Sequence, residues 1–232
     1  NGVYNITSSG NINTSGSDAH GIYVTAGGES NSDNNSGTAN ITVNSGNIAA
    51  TGQDSAGIKT DLSVYGAAAG TSMVRVNGGS VQGGWGSGFR SAGIQVYRGN
   101  SDIAIASGAS VGSLSDVVID TAGERKAREG APQPSDANNS GNTTITNSGT
   151  MTGTIYSGSG NTTINNQTSG IWNLRSWSSS AGGARDTVGD INVVLGTQGS
   201  ASNTINNNFM IKLTQTPGHN APKHATFPAH TT

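Results

Sequence analysis

The chain has 232 residues, no cysteine, and 11 basic against 13 acidic residues, for a net charge of −2. Gly, Ser, Asn and Thr supply about half of it, and only 10% of residues are charged, against roughly 25% in an ordinary globular domain. These figures exclude a disulfide framework or thiolate metal site and a phosphate-seeking nucleic-acid binder. They also argue against a helical bundle, because the four dominant residue types are poor in helix interiors.

Two classes survive: a disordered low-complexity segment and an all-β repeat. Disorder requires apolar residues to be scarce and unpatterned. Here they reach 31% and are patterned. No apolar run approaches the ~18 residues of a membrane helix. The chain starts at Asn1 with no basic segment leading into an apolar one, so the sequence reads as a fragment or mature product.

Two motifs alternate along the first half. One runs Asn5–Ile12 (NITSSGNI), Asn40–Ile48 (NITVNSGNI), Met73–Val81 (MVRVNGGSV) and Asp102–Val111 (DIAIASGASV). It is a β-branched run, a Gly-containing turn and one more apolar residue. The other is an octet: Ser17–Val24 (SDAHGIYV), Gln53–Thr60 (QDSAGIKT) and Phe89–Val96 (FRSAGIQV). Its Gly-Ile pairs place Ile22, Ile58 and Ile94 36 residues apart. Shorter copies follow at Asn142–Met151 and Asn161–Trp172, starting 19 residues apart, and a degenerate one at Asn203–Ile211. Alternation in Ile41-Thr42-Val43, Val74-Arg75-Val76 and Ile103-Ala104-Ile105 predicts strands, and Gly and Asn supply the corners.

A period near 19, with 36 as its double, predicts a parallel β-solenoid of about 19 residues per coil, some 11 coils and ~50 Å long. Asn44, Asn147, Asn165 and Asn166 fit either amide ladders between coils or ordinary turns. Polar insertions fall at 27–38, 121–142 and 178–189. The expected division is solenoid over 1–121, a charged spacer over 122–142, solenoid over 143–216, and an irregular tail over 217–232 that holds three of the five prolines and three of the four histidines.

The motifs SSGNI, NSGNI, DSAGI, RSAGI, TTITNSGTM and TTINNQTSGIWNL resemble the β-helical passenger region of bacterial autotransporters of the pertactin-like and adhesin types. The resemblance covers about residues 3–213, and Ile164–Leu174 (INNQTSGIWNL) is its most telling stretch. It implies a right-handed parallel β-helix displayed outside a Gram-negative cell. It further implies a parent with a signal peptide and a C-terminal β-barrel, neither of which is in this sequence. The barrel would be the only membrane attachment. The tail beyond Leu213 departs from the family, where further coils are expected.

Residues able to do chemistry are sparse. His20 is the only histidine outside the tail, two residues after Asp18, and no Gly-x-Ser-x-Gly turn accompanies it. Asp18 and Asp54 share one repeat phase, which Arg90 takes in the third copy; a 36-residue double coil would separate the two carboxylates by about 10 Å. The Gly-rich calcium repeat is not met, since Gly83-Gly84-Trp85-Gly86 is followed by Ser-Gly. The basic residues Arg125, Lys126 and Arg128 are flanked by Glu124 and Glu129 and self-neutralised. No catalytic, metal or cofactor residue is assigned. The candidate binding residues are aromatic: Trp85, Phe89 and Tyr97, and Trp172 and Trp177 around Arg175. They stack on a sugar or partner, or else pack in the rod. The sequence therefore favours a non-enzymatic surface passenger, an adhesin or rigid display stalk. Its partner would be a host protein, a glycan or another cell's copy, and not nucleic acid. A carbohydrate-active β-helix (lyase or depolymerase) and a purely structural repeat are the alternatives.

Overall fold

The computed structural model describes residues 2–25, 37–62, 70–86, 91–122, 141–175, 191–192, 201–214 and 225–226. Three runs of parallel strands make up the architecture, with no helix among these residues. The first run stacks β1 (Val3–Ser8), β4 (Thr38–Val43), β7 (Thr71–Val76), β10 (Asn100–Ile105), β12 (Thr143–Asn147), β14 (Thr162–Asn166) and β17 (Asn203–Asn207). The second stacks β2 (Ile12–Thr14), β5 (Asn47–Ala50), β8 (Ser80–Gly83), β11 (Ser110–Thr121), β13 (Thr150–Ser157), β15 (Ile171–Arg175) and β18 (Met210–Thr214). The third joins β3 (Ile22–Thr25), β6 (Ile58–Asp61) and β9 (Ile94–Val96), and β9 in turn pairs with the far half of β11. Each circuit of strands returns to lie on the previous one, which is the connectivity of a parallel β-solenoid.

The register corrects the coil length. Ile22 pairs directly with Ile58, and Ile58 with Ile94. A step of 36 residues is therefore one rung, not two. Along the first run the steps reach 42 residues, between Ser101 and Thr143, and fall to 19 only between Thr143 and Thr162. The expected period of about 19 describes that single step. Seven rungs are described, where 11 coils were expected, and six spacings of ~4.8 Å make the stack about 29 Å tall. Despite these unequal steps, the strands of the first run pair without a shift in register.

Alternation of the sequence explains which side is core. Strands β4, β7 and β10 bury every second residue, so Ile41, Val74 and Ile103 stack beneath Ile145 and Ile164 with no exposure. The neighbouring strand set contributes Ile48, Val81, Val111, Met151 and Trp172 in one column. β-Branched side chains suit this surface because their χ1 is already restricted. Full burial of each such side chain stabilises the fold by roughly 1.5–3 kcal/mol.

Corners are set by close backbone approach. A Cβ on Gly57 would lie 2.7 Å from Gly93 O and 2.6 Å from Val81 Cγ1, which is why the octet keeps glycine before its isoleucine. Asp18, Asp54 and Asp116 take left-handed φ values of 53°, 56° and 57°, a region that Asp and Asn tolerate better than other non-glycine residues. At Asp116 the register of β11 against β13 shifts. Thus β11 turns its corner without leaving the sheet, pairing first with β8 and then with β9.

The asparagines form ladders. Asn147 Nδ2 donates to Asn166 Oδ1 at 2.8 Å, and Asn166 Nδ2 donates to Asn207 Oδ1 at 2.7 Å. Asn147 and Asn166 are fully buried. Each amide also donates to a backbone carbonyl of the next rung, Ile171 O and Met210 O respectively. Asn77 Nδ2 donates to Asn44 Oδ1 at 3.1 Å, and Asn206 Nδ2 to Asn165 Oδ1 at 2.8 Å, on the solvent side.

β12 pairs with β10 across the charged spacer, so the ladder runs on through it. Residues 123–140, which make up most of that spacer, lie outside the described residues, as do 27–36 of the insertion expected at 27–38 and all of the one expected at 178–189. Of the segment 217–232, only β19 (Ala225–Thr226) is described; it pairs with β16 (Ile191–Asn192).

Asn166→Ala removes a buried amide that serves both neighbours and leaves Asn147 Nδ2 with Ile171 O as its remaining acceptor. Stability should fall by about 1–3 kcal/mol in urea titration, whereas exposed Asn206→Ala should change it by less than about 0.5 kcal/mol.

Candidate functional site

The five aromatic residues named from sequence do not come together. Trp172 is a core residue with no exposure, its Nε1 donating to Gly153 O at 2.9 Å. That corrects its reading as a contact residue: it falls on the inward phase of β15, beneath Met151. Trp85 is half-buried; its backbone forms an isolated bridge to Gln53, and its carbonyl accepts from Asp54 N at 2.8 Å. Phe89 and Trp177 lie outside the described residues. Tyr97 is half-buried on the third strand run, with Arg98 Cζ 4.8 Å from its ring centroid.

That third run carries the densest chemistry in the described chain. Outward positions of adjacent strands stack, so Tyr23 of β3 pairs with Lys59 of β6, and Lys59 with Gln95 of β9. Two residues along, Thr25 pairs with Asp61, and Tyr97 continues the same column, its N donating to Thr60 O at 2.8 Å. Tyr23 is half-exposed, at 51%. Lys59 Nζ lies 5.3 Å from the Tyr23 ring centroid, within cation–π range. His20 meets Tyr23 edge-on, with centroids 5.3 Å apart. Arg98 Nε lies 3.9 Å from Asp61 Oδ1. Two tyrosines, two cations, a histidine and an aspartate thus share one face of a protein with 5% aromatic and 10% charged residues.

His20 ties this face to the corner. Its Nδ1 accepts from Ala56 N, one rung on, at 2.9 Å, and its Nε2 lies 3.2 Å from Lys59 Nζ. Burial, and then the Lys59 cation, lower its pKa to about 4, with Asp18 opposing. The fold therefore holds the imidazole neutral at physiological pH. Ala19 N donates to Ser55 Oγ at 3.0 Å beside it, so octet residues of one copy satisfy backbone groups of the next.

The aligned octets already place Tyr23, Lys59 and Gln95 in one phase. That signal was legible, but it becomes contact only when 36 residues equal one rung. The same correction applies to Asp18 and Asp54, which sit on neighbouring rungs: Asp18 N donates to Gln53 O at 2.9 Å, beside Asp54. Their left-handed backbone accounts for aspartate at both corners. Arg90, the third of that phase, lies outside the described residues. Further along this face Gln95 and Asp120 are buried, so the accessible part is the Tyr23–Lys59 end and the Tyr97–Arg98 edge. A separate ion pair joins two rungs at the β11 corner, where Arg175 Nη2 lies 3.0 Å from Asp116 Oδ1.

Among the described residues no group of three His, Asp or Glu side chains is placed to hold a metal ion, and no helix is long and apolar enough to cross a membrane. No family model, curated protein or solved structure matches this chain.

The His20 shift fixes a pH dependence. In the unfolded chain histidine titrates near 6.5, while the folded chain resists that proton until about pH 4. Stability should fall as pH drops from 6.5 to 4. The urea midpoint of His20→Gln should fall less over that window than that of the wild type, and equal slopes would contradict the assignment. Trp172→Ala should cost about 3–5 kcal/mol, as expected of a core ring.

Proposed function

We propose that this chain is part of an extracellular surface-displayed passenger of the autotransporter type, a right-handed β-solenoid that acts as adhesin and display stalk. The observation that carries the reading is the register of the rungs. Ile22, Ile58 and Ile94 stack directly, and so a body grows by repetition with its chemistry spread over outward faces. The neutral, amide-rich exterior suits this role, because Asn and Thr solvate the surface without charge. Right-handedness rests on the strong preference of parallel crossover connections.

Contact would fall on the face built by β3, β6 and β9. The exposed Tyr23 ring offers a stacking surface for a sugar or a partner's apolar side chain, and Lys59 and Arg98 offer charged donors beside it. The partner would be a host-surface glycan or protein.

The carbohydrate-active alternative draws on Asp18 and Asp54, which occupy successive rungs. Both are already used as left-handed corner residues, so the adhesin reading is preferred.

The test is display of the chain on bacteria through a carrier β-barrel. Wild type should raise adherence to cultured epithelial cells. The triple variant Tyr23→Ala, Lys59→Ala, Tyr97→Ala should lower it at least several-fold at equal surface display. Equal adherence of the two would reject this contact face. No adherence by either would reject the adhesin role and leave a passive stalk.

A further inference from the structure

Two turns of the same build stand on adjacent inner rungs. Asn44-Ser45-Gly46 joins β4 to β5, and Asn77-Gly78-Gly79 joins β7 to β8. Each opens with an asparagine whose N–H donates to the rung below, Asn44 N to Ser8 O and Asn77 N to Val43 O, both at 2.8 Å. Each closes with a left-handed glycine, φ 80° at Gly46 and 72° at Gly79. The two exposed amides are joined as well, Asn77 Nδ2 donating to Asn44 Oδ1 at 3.1 Å. What differs is the middle residue, serine in one turn and glycine in the other. Rungs lie on both sides of Asn77, since Ala106 N, which begins the next turn, donates to Val76 O at 2.8 Å. The exposure of Asn77 therefore does not depend on where the ladder stops.

An asparagine followed by glycine carries an electrophile and a nucleophile side by side. The next residue's backbone nitrogen can close a five-membered ring on the side-chain carbon Cγ. A side chain on that next residue crowds the approach, and glycine has none. The sequence holds this pair twice, at Asn1-Gly2 and Asn77-Gly78, and Asn1 lies outside the described residues. At the second pair Asn77 is exposed, and among the described residues no acceptor takes the Gly78 N–H. The attacking nitrogen is thus not held in the ladder.

We infer that Asn77 is a site of spontaneous deamidation in the folded protein, with water as co-reactant. Gly78 N gives its proton to a base in solvent and bonds to Asn77 Cγ. The Cγ–Nδ2 bond breaks, and ammonia leaves with a proton from water. Water then opens the cyclic imide. Cleavage between Cγ and the Gly78 nitrogen leaves aspartate at position 77. Cleavage between the main-chain carbonyl carbon and that nitrogen leaves isoaspartate, whose main chain is one carbon longer. Both products lose the Nδ2 donor to Asn44 and place a negative charge on an amide-rich exterior. The inference goes beyond the adhesin reading and holds whichever face makes contact.

The test keeps the folded protein at physiological temperature in mildly alkaline buffer made with heavy-oxygen water. Mass spectrometry then reads each asparagine peptide, and methyltransferase labelling reads isoaspartate. Position 77 should take up heavy oxygen and yield isoaspartate at least several-fold faster than position 44, which shares the turn but precedes serine. Ser45→Gly should raise the rate at Asn44 to about that at Asn77, with an unchanged circular dichroism spectrum. Asn77→Gln should abolish uptake at position 77 alone. A rate at Asn77 no greater than that at Asn44 would overturn the inference. So would a folded-state rate several-fold below that of the guanidinium-unfolded chain, because the turn would then protect the pair. A folded Ser45→Gly chain whose Asn44 stays as slow as in the wild type would contradict it too.

Discussion

The structure depends on in-register parallel pairing between rungs. Once a strand lies on its predecessor at ~4.8 Å, each side chain is placed by the one beneath it, and a column has a single environment from end to end. Isoleucine settles on isoleucine at 22, 58 and 94. Glycine must follow glycine at 57 and 93, because a side chain would strike the neighbouring carbonyl. Asparagine repays asparagine at 147 and 166, since an amide has both the donor and the acceptor that a column requires. The repeat in the sequence is the one-dimensional trace of these columns. Where a column's environment is solvent, as at Thr7, Thr42 and Arg75, the residue drifts.

That same constraint explains what was legible beforehand. Strands show in the alternation of Ile41-Thr42-Val43 and its relatives, whereas residue type alone leaves Asn44, Asn147, Asn165 and Asn166 open between amide ladders and ordinary turns, and the hydrogen bonds between rungs decide for ladders. Coil length was misread because a sequence interval counts strands and connections together. The step from Ser101 to Thr143 spans 42 residues and that from Thr143 to Thr162 only 19, yet both are one rung. The shortest interval merely has the least connection in it. Trp172 was misplaced for a related reason: its neighbours in sequence are turn residues and Arg175, while its neighbours in space are Met151 and Ile211. The His20–Tyr23–Lys59 cluster was hidden in the same way, divided between two octets that touch only when 36 residues make one turn.

A solenoid built this way separates stability from recognition. The columns inside hold the body together, and the outer phase can vary without disturbing them. In this chain most outward residues are neutral, so the departure on the β3–β6–β9 face carries weight. There a neutral imidazole is pinned by the next rung's backbone, a lysine lies over a tyrosine, and a second tyrosine and an arginine sit two residues along. That face follows from the ladder, because strands in register bring one outward phase of successive rungs together.

The central claim is that residues 36 apart in the octet region occupy adjacent rungs, and disulfide trapping tests it most directly because the chain has no cysteine of its own. Asn13 and Ala49 are outward-facing register partners, and Cα atoms of adjacent parallel strands, about 4.8 Å apart, fall within disulfide range. The pair Asn13→Cys, Ala49→Cys should oxidise quantitatively in the folded protein, while Asn13→Cys, Gln82→Cys, two rungs apart, should remain reduced. Failure of the first pair to close while the fold is intact, or equal closure of both, would contradict the account.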